Sequence, residues 1–80
     1  MYIKEYDYSE IFDMMDDIDY NKKYVEIVDI LLDIGVNVEY SILDKKVIFE
    51  YNENKKFTAV MTLLKLDELL HSYNNSNTLK

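Results

Sequence analysis

The hydrophobic pattern of the chain changes its period at Gly35, the single glycine in a sequence that has no proline. Before that residue, apolar side chains recur at intervals of three and four, as on one face of an α-helix. They are Tyr24, Ile27, Val28, Leu31 and Leu32. Asn21 can cap the first backbone N–H groups of this helix, and Gly35 can supply the left-handed residue that ends it. The sequence therefore predicts a helix over residues 21–35.

Beyond Gly35 the apolar residues alternate with polar ones, as in a half-buried β-strand. The alternating positions form two sets, which are Val36, Val38, Tyr40 and Ile42 and then Val47, Phe49 and Tyr51. Asp44 and Lys45 lie between the two sets and can form a tight turn. The pattern predicts a β-hairpin.

Another amphipathic stripe lies nearer the N-terminus and consists of Ile11, Met14, Met15 and Ile18. Asp7 and Glu10 have the spacing of a capping box at its start. The link at residues 19–21 is short, which favours two neighbouring helices packed through their stripes. Residues 1–7 are mixed in character and can form a brief edge strand or an ordered arm.

Residues 56–63 fit two structures. Phe57, Ala59, Met61 and Leu63 alternate with Lys56, Thr58, Val60 and Thr62, and this alternation predicts a third strand. Alternatively, Asn54 caps a helix that has Phe57, Val60, Met61 and Leu64 on one face. We favour the strand, because a two-stranded hairpin is marginal on its own. From Leu64 to Tyr73 the chain is helical on either interpretation, with a stripe formed by Leu66, Leu69, Leu70 and Tyr73.

The expected fold is a single small α+β domain over residues 1–73, with two N-terminal helices, a short antiparallel β-meander of two or three strands and a C-terminal helix. Residues 74–80 are polar and are expected to form a flexible tail. No segment approaches the ~20 apolar residues of a membrane-spanning helix, and the first ten residues do not resemble a signal peptide. We therefore expect a soluble, cytoplasmic protein.

No signature of catalysis or of cofactor binding is present. The chain lacks cysteine, has one histidine (His71), and cannot form a glycine-rich phosphate loop with one glycine. Residues 17–21 begin like an EF-hand loop, but Lys22 and Val28 stand where that loop needs glycine and glutamate. We expect no enzyme activity, no metal site and no cofactor.

The net charge of −7 is concentrated at one end of the chain. Residues 1–33 contain ten acidic side chains and three lysines, whereas residues 34–80 contain six of each. Arginine, the usual residue for phosphate and base contacts, is absent, so direct binding to nucleic acid is not expected. Anionic membranes would repel this charge as well.

The acidic residues of the two predicted helices form a candidate partner-binding surface. Carboxylates three and four residues apart have Cβ atoms about 5–6 Å apart, so a row of them can imitate a strip of nucleic-acid backbone. Asp16, Asp17 and Asp33 are expected in the last turns of their helices, where negative charge is unfavourable, and such violations are typical of functional positions. With Tyr20 as an aromatic anchor, the predicted partner-binding residues are Asp13, Asp16, Asp17, Asp19, Tyr20, Glu26, Asp29 and Asp33.

These features lead to the hypothesis of a non-enzymatic protein that binds a basic surface of another protein, namely a nucleic-acid-binding groove, and blocks it. Small acidic phage proteins that inhibit host nucleases or host defence, including anti-CRISPR proteins, are similar in size and charge, although no family motif is present. Such a protein would act in the host cytoplasm.

Two alternatives to this hypothesis stay open. An acidic face also keeps a small protein in solution and needs no partner. The chain can instead be a structural or regulatory subunit that forms a homodimer, or binds another chain, through apolar surface. The apolar positions expected to face outward are Val25, Ile30, Leu43, Ile48 and Leu69.

Overall fold

The computed structural model describes the backbone of residues 1–78 and the side chains of residues 1–76. The elements are β1 (Tyr2–Asp7), α1 (Tyr8–Met15), α2 (Ile18–Asp33), β2 (Asn37–Ser41), β3 (Lys46–Tyr51), a 3₁₀ turn (Glu53–Lys55) and α3 (Lys56–Thr78). The strands form one antiparallel sheet in the order β1-β3-β2. The chain is an α+β domain, but the order of its elements differs from the predicted one.

The prediction that two helices come first is wrong, because β1 precedes them. β1 pairs with β3 along its whole length, with Tyr2 opposite Tyr51 and Tyr6 opposite Val47. Tyr6 is buried and Tyr2 is half-buried, so alternate residues of β1 reach the core. The alternation is weak in the sequence, because Lys4 lies between the two tyrosines on the same face of the strand.

The prediction of a strand over residues 56–63 is also wrong, since α3 begins at Lys56. β3 is the central strand and has β1 and β2 as its two neighbours, so the hairpin obtains its third strand from the N-terminus. The buried side chains of α3 are Ala59, Thr62, Leu63, Leu66, Leu69 and Leu70. α3 continues to Thr78 and includes residues 74–78 of the segment predicted as a flexible tail. Residues 79 and 80 of that segment lie outside the described residues.

The helices lie against one face of the sheet, and the core fills the space between the two layers. The largest fully buried side chains are Tyr24, Phe49, Ile11, Met14, Leu31, Leu66, Val36 and Val47. Tyr24, Ile27 and Leu31 form the inner side of α2, as the periodicity predicts. Leu32, which the same periodicity assigned to that side, is 53% exposed.

The junction between α1 and α2 lies earlier than predicted. α1 ends at Met15, and Asp17 begins α2 by accepting hydrogen bonds from the backbone N–H groups of Asp19 (3.0 Å) and Tyr20 (3.4 Å). The cap of α2 is therefore Asp17 and not Asn21. Ile18, predicted as the end of the first stripe, starts the second helix instead and is 82% exposed.

The start of α1 has the predicted cap residue without the predicted contact. Asp7 stands at the N-cap position, but its side chain makes no hydrogen bond to the helix. Its carboxylate instead pairs with Lys46 on the neighbouring strand β3, at 2.8 Å between Oδ1 and Nζ. The capping-box spacing of Asp7 and Glu10 therefore marks the correct helix start, although the carboxylate of Asp7 binds elsewhere.

Gly35 ends α2 as predicted, with a left-handed backbone of φ +95°. Its N–H donates to the carbonyl oxygen of Leu32 at 3.1 Å, and the N–H of Val36 donates to that of Leu31 at 2.9 Å. These two bonds form a Schellman motif, and the apolar contact that accompanies it joins the buried side chains of Val36 and Leu31.

The β-hairpin is present as predicted, but its turn is longer. Ser41 pairs with Lys46, so residues 42–45 form the loop rather than Asp44 and Lys45 alone. The Ser41 hydroxyl donates to Asp44 Oδ2 at 3.2 Å and accepts from the Asp44 N–H at 3.3 Å. Lys45 then takes the left-handed conformation, with φ +56°.

Candidate protein-binding surfaces

The outer side of α2 carries a row of acidic side chains, here called the acidic α2 face. Its members are Asp19, Glu26, Asp29 and Asp33, and all four are exposed. Their spacings of seven, three and four residues place them on one side of the helix, away from Tyr24 and Leu31. At 1.5 Å per residue the row extends over about 21 Å. Lys22 lies in the same row and is its one positive charge.

The carboxylates of this face have no lysine from the described part of the chain bound to them. Among residues 1–76, a single ion pair is formed, between Lys46 and Asp7 on the sheet. Lys22 is close in sequence to Asp19 and Glu26 but forms an ion pair with neither. The acidic α2 face therefore presents its charge to solvent, where a positively charged partner can reach it.

Three further predicted residues, Asp13, Asp16 and Asp17, lie at the junction that leads into α2. Asp13 and Asp16 are exposed, whereas Asp17 is half-buried and its carboxylate caps α2. The expectation that Asp17 lies in a last turn is wrong, because it stands at the start of a helix, where negative charge is favourable. Asp16 and Asp33 do stand at the C-terminal ends of α1 and α2. Their charge is unfavourable there, and no local contact explains it.

Tyr20, predicted as an aromatic anchor for a partner, is occupied within the molecule. Its hydroxyl lies 3.0 Å from the hydroxyl of Ser72, and its ring packs against that of Tyr73 at 5.3 Å between centroids. The Tyr73 hydroxyl in turn donates to the carbonyl oxygen of Asp13 at 2.9 Å. Tyr20 therefore holds α2 against α3, and its side chain is half-buried.

Exposed apolar side chains lie beside the acids of α2. They are Ile18, Val25, Ile30 and Leu32, and each exposes more than a third of its surface. Ile18, Val25 and Leu32 are seven residues apart and form a line next to Asp29. The periodicity assigned Ile18 and Leu32 to the core, so the sequence did not reveal them as surface residues. A surface that mixes carboxylates with apolar contacts can bind a protein as well as attract one.

A second surface lies on α3 and is apolar, and we call it the apolar α3 face. Its members are Phe57, Val60, Met61 and Leu64, which are exposed by 81%, 36%, 51% and 47%. Their spacing is that of the helix alternative for this segment, but this side faces solvent and the opposite side is buried. Lys56 lies to one side of the face, Glu68 lies one turn beyond Leu64 in line with it, and both are exposed. Lys56 also donates to the Tyr2 hydroxyl at 3.4 Å, and this contact raises the pKa of the lysine.

The side of the sheet that faces away from the helices carries acids that the site prediction did not include. Glu5 and Glu39 lie opposite Ile48 from the two neighbouring strands, and Glu50 follows two residues further along β3. Glu5 and Glu39 are exposed, and Glu50 is half-buried. Negative charge is therefore also present outside the two helices that carry the predicted site.

The apolar positions of the alternative hypothesis have different environments. Val25, Ile30 and Leu43 are exposed, and Leu43 is at the tip of the hairpin. Ile48 is half-buried on the uncovered side of the sheet, and Leu69 is buried in the core. Leu69 is therefore not available to a partner.

The hydroxyl groups of two buried tyrosines, Tyr6 and Tyr24, join elements of the fold by hydrogen bonds. Tyr6 donates to Asp67 Oδ1 at 2.7 Å and joins β1 to α3, and the hydroxyls of Tyr24 and Tyr40 are 3.0 Å apart and join α2 to β2. Burial, and then these hydrogen bonds, raise the pKa of Tyr6 and of Tyr24 above the ordinary value of 10.0. Both phenols are therefore neutral at physiological pH and serve as hydrogen-bonding partners.

Three further features of the described part of the chain are the placement of its metal-binding residue types, its histidine and the hydropathy of its helices. Within it, no three His, Cys, Asp or Glu side chains are placed to hold a metal ion. His71 is exposed, and its Nε2 lies 3.1 Å from Asn75 Nδ2. None of the helices in residues 1–78 has both the length and the apolar character needed to cross a membrane.

A comparison of the chain with protein-family models, curated proteins and solved structures finds no match. The surfaces of the molecule are therefore what bears on its function.

Proposed function

We propose that this chain is a non-enzymatic binding protein that docks its acidic α2 face on a basic, nucleic-acid-binding surface of another protein. By occupying that surface it excludes the nucleic acid and inhibits the partner. The observation that supports this proposal is the row of exposed carboxylates along α2, none of which is paired with a lysine of residues 1–76. The role that we propose for it is that of a phage-encoded inhibitor, which acts in the host cytoplasm on a nuclease or a defence system of the host.

The dimensions of the row suit a nucleic-acid-binding groove. Along one DNA strand, phosphates follow one another every ~3.4 Å of helix axis, so about 21 Å of acidic helix corresponds to about six phosphates. The helix carries fewer charges over that length than DNA does. It therefore imitates the backbone in part, and apolar contacts must supply the rest of the affinity.

Those contacts are available at Val25, Ile30 and Leu32, which are exposed among the acids. Charge at the rim of an interface mainly accelerates encounter, whereas desolvated apolar side chains slow dissociation. The acids of α2 therefore steer the protein to a basic surface, and the apolar residues hold it there. Asp13 and Asp16 extend the charge to the preceding junction.

The test compares two triple variants that are matched in charge. The α2 variant carries Glu26→Gln, Asp29→Asn and Asp33→Asn, and the sheet variant carries Glu5→Gln, Glu39→Gln and Glu50→Gln. Each changes the net charge from −7 to −4 while keeping side-chain size. DNA-cellulose is first loaded at low salt with the DNA-binding proteins of a lysate of the host cells. Wild type or a variant is then applied in excess, and the proteins that it releases from the DNA are identified.

Wild type and the sheet variant are expected to release the same DNA-binding protein, and the α2 variant about tenfold less of it. The release should weaken as salt rises, because exposed charges are screened within about 8 Å at 0.15 M. Equal release by the α2 variant and wild type would refute the assignment to α2. Failure of wild type to release any protein beyond the buffer control would refute the function itself.

A further inference from the structure

α3 is apolar on two opposite sides over its first turns. Its inner side is buried in the core, and its outer side, the apolar α3 face, lies in solvent. A contiguous apolar patch on the surface of a protein typically marks a site of interaction. We propose that a second copy of this chain covers the apolar α3 face, so that two α3 helices pack antiparallel across a two-fold axis.

The charges beside the face have the arrangement that a two-fold axis requires. Lys56 and Glu68 are each six residues from Thr62, about 9 Å along the helix axis in opposite directions. At about 100° per residue Glu68 lies about 20° from Phe57 around the helix, in line with the face, whereas Lys56 lies about 100° to one side of Phe57. A second copy related by a two-fold axis at the level of Thr62 therefore brings Glu68 of each chain to the level of Lys56 of the other, where the two long side chains can reach one another.

The apolar residues match across the same axis. Val60 and Leu64 are each two residues from Thr62, so Val60 of one copy faces Leu64 of the other. Phe57 lies further from the axis, near Lys56, and its ring covers the contact between Val60 and Leu64. The spacing of three and four residues gives the ridge of side chains with which antiparallel helices interdigitate.

The charge of the molecule favours a second copy on this face over self-association elsewhere. Two copies at −7 each repel one another, and the acidic α2 face and the uncovered side of the sheet concentrate that repulsion. The apolar α3 face is bordered by both signs, with Lys56 and Lys65 against Glu53, Asp67 and Glu68. Like-charge repulsion between copies is therefore smallest there.

A contact along one helix is at the small end of protein interfaces, so the dimer dissociates on dilution. The proposed dimer does not involve the acidic α2 face, so it is tested independently of the proposed function.

The first experiment measures the dimer by sedimentation equilibrium of the full chain, from dilute to concentrated solution. Met61→Glu places a charge in the centre of the contact and is expected to raise the dissociation constant about tenfold or more. Leu32→Glu is the control, because it makes the same change at a residue of α2 with nearly equal exposure, 53% against 51%. It should leave the dissociation constant unchanged. Circular dichroism verifies that both variants are folded.

The second experiment distinguishes a symmetric dimer from other self-association. Lys56→Glu and Glu68→Lys should each weaken the dimer, and the double variant should restore it, because it recreates both pairs with their signs exchanged. A wild-type protein that is monomeric at every concentration would overturn the proposal. So would a dimer that Leu32→Glu dissociates and Met61→Glu does not, or a double variant no stronger than the weaker single variant.

Discussion

Asp16 and Asp17 are neighbours in the chain, yet they have opposite effects on the helices that they separate. Asp17 caps α2 with two hydrogen bonds, whereas Asp16 lies at the C-terminal end of α1 without a side-chain hydrogen bond. Loss of an N-cap costs about 1 kcal/mol, and removal of a negative charge from a helix C-terminus gains about 0.3–1 kcal/mol. We therefore predict that Asp17→Ala lowers the free energy of unfolding and that Asp16→Ala raises it slightly.

Urea denaturation of the two variants measures both effects. Asp17→Asn is the control, because asparagine caps helices about as well as aspartate, and it should remain close to wild type. A loss of stability in Asp16→Ala equal to that in Asp17→Ala would contradict this account of the junction.

The two tyrosines with raised pKa make the stability sensitive to alkaline pH. Tyr6 and Tyr24 are protonated in the folded protein, whereas a tyrosine of the unfolded chain ionises near pH 10.0. Above that pH the unfolded chain binds fewer protons than the folded one, so stability falls by about 1.4 kcal/mol per pH unit for each tyrosine. Below it, these groups contribute no pH dependence.

We predict that Tyr24→Phe halves the slope of stability against pH that the two tyrosines cause above about pH 10. Phenylalanine keeps the ring in the core and removes the ionisable hydroxyl. Urea denaturation at several alkaline pH values measures the slope, and tyrosinate absorbance records which phenols ionise while the protein stays folded. An unchanged slope in the variant would show that Tyr24 ionises equally in the folded and unfolded states.

At the scale of elements, the end of α2 depends on the backbone of one residue. A Cβ added at Gly35 would meet no atom closer than 3.6 Å, the Cε of Lys55, so space is available. Its φ of +95° is nevertheless unfavourable for a residue with a side chain. Gly35→Ala should therefore lower the free energy of unfolding by about 1–2 kcal/mol. Asn tolerates left-handed conformations better, so Gly35→Asn should lose less, and thermal denaturation compares the two. The control is the double variant Gly35→Ala with Lys55→Ala, which should lose as much stability as Gly35→Ala alone. If Lys55→Ala restored the stability, crowding against Lys55 and not the backbone conformation would be the cause.

The elements that could be predicted are those whose signal is local. The inner face of α2 and the alternation of Val47, Phe49 and Tyr51 each follow from a single period, and Gly35 marks the change between them. Residues 56–63 satisfy both periods, because the alternating set and the helical set share Phe57 and Met61. Only pairing over a long distance in the chain decides between them: β1 occupies the edge of β3 that a third strand would need.

The same limit applies to the candidate site. The sequence places Glu26, Asp29 and Asp33 on one outer side, because a continuous helix determines that arrangement. It does not show that Tyr20 is used to hold α3, since Ser72 and Tyr73 are more than fifty residues away. It groups the residues of the apolar α3 face in the helix alternative for this segment, but it does not show that they are exposed, because exposure depends on which of two apolar sides the rest of the fold covers.

At the scale of the whole molecule, the distribution of charge affects stability as well as binding. The chain has 16 acidic residues and nine lysines, and one ion pair forms within residues 1–76. The folded state brings like charges together on α2, where Glu26, Asp29 and Asp33 are spaced three and four residues apart. Like-charge pairs at this spacing each cost about 0.2–0.5 kcal/mol, and Asp33 opposes the helix dipole as well. The acidic α2 face is therefore a source of instability that the fold does not require.

We predict that the variant with Glu26→Gln, Asp29→Asn and Asp33→Asn is about 1 kcal/mol more stable than wild type in low salt. Sodium chloride should stabilise wild type more than the variant, because screening relieves a repulsion that the variant has already lost. Thermal denaturation over a salt series measures this difference, and comparison with the variant removes the effect of salt on hydrophobic burial.

If the acids serve only solubility, the variant gains stability and loses no binding. If they form the working surface, the substitutions that stabilise the fold also reduce release of the partner from DNA about tenfold, as expected where activity and stability oppose each other. A variant that is less stable than wild type in low salt would mean that the carboxylates support the fold, and their placement would then need no functional reason.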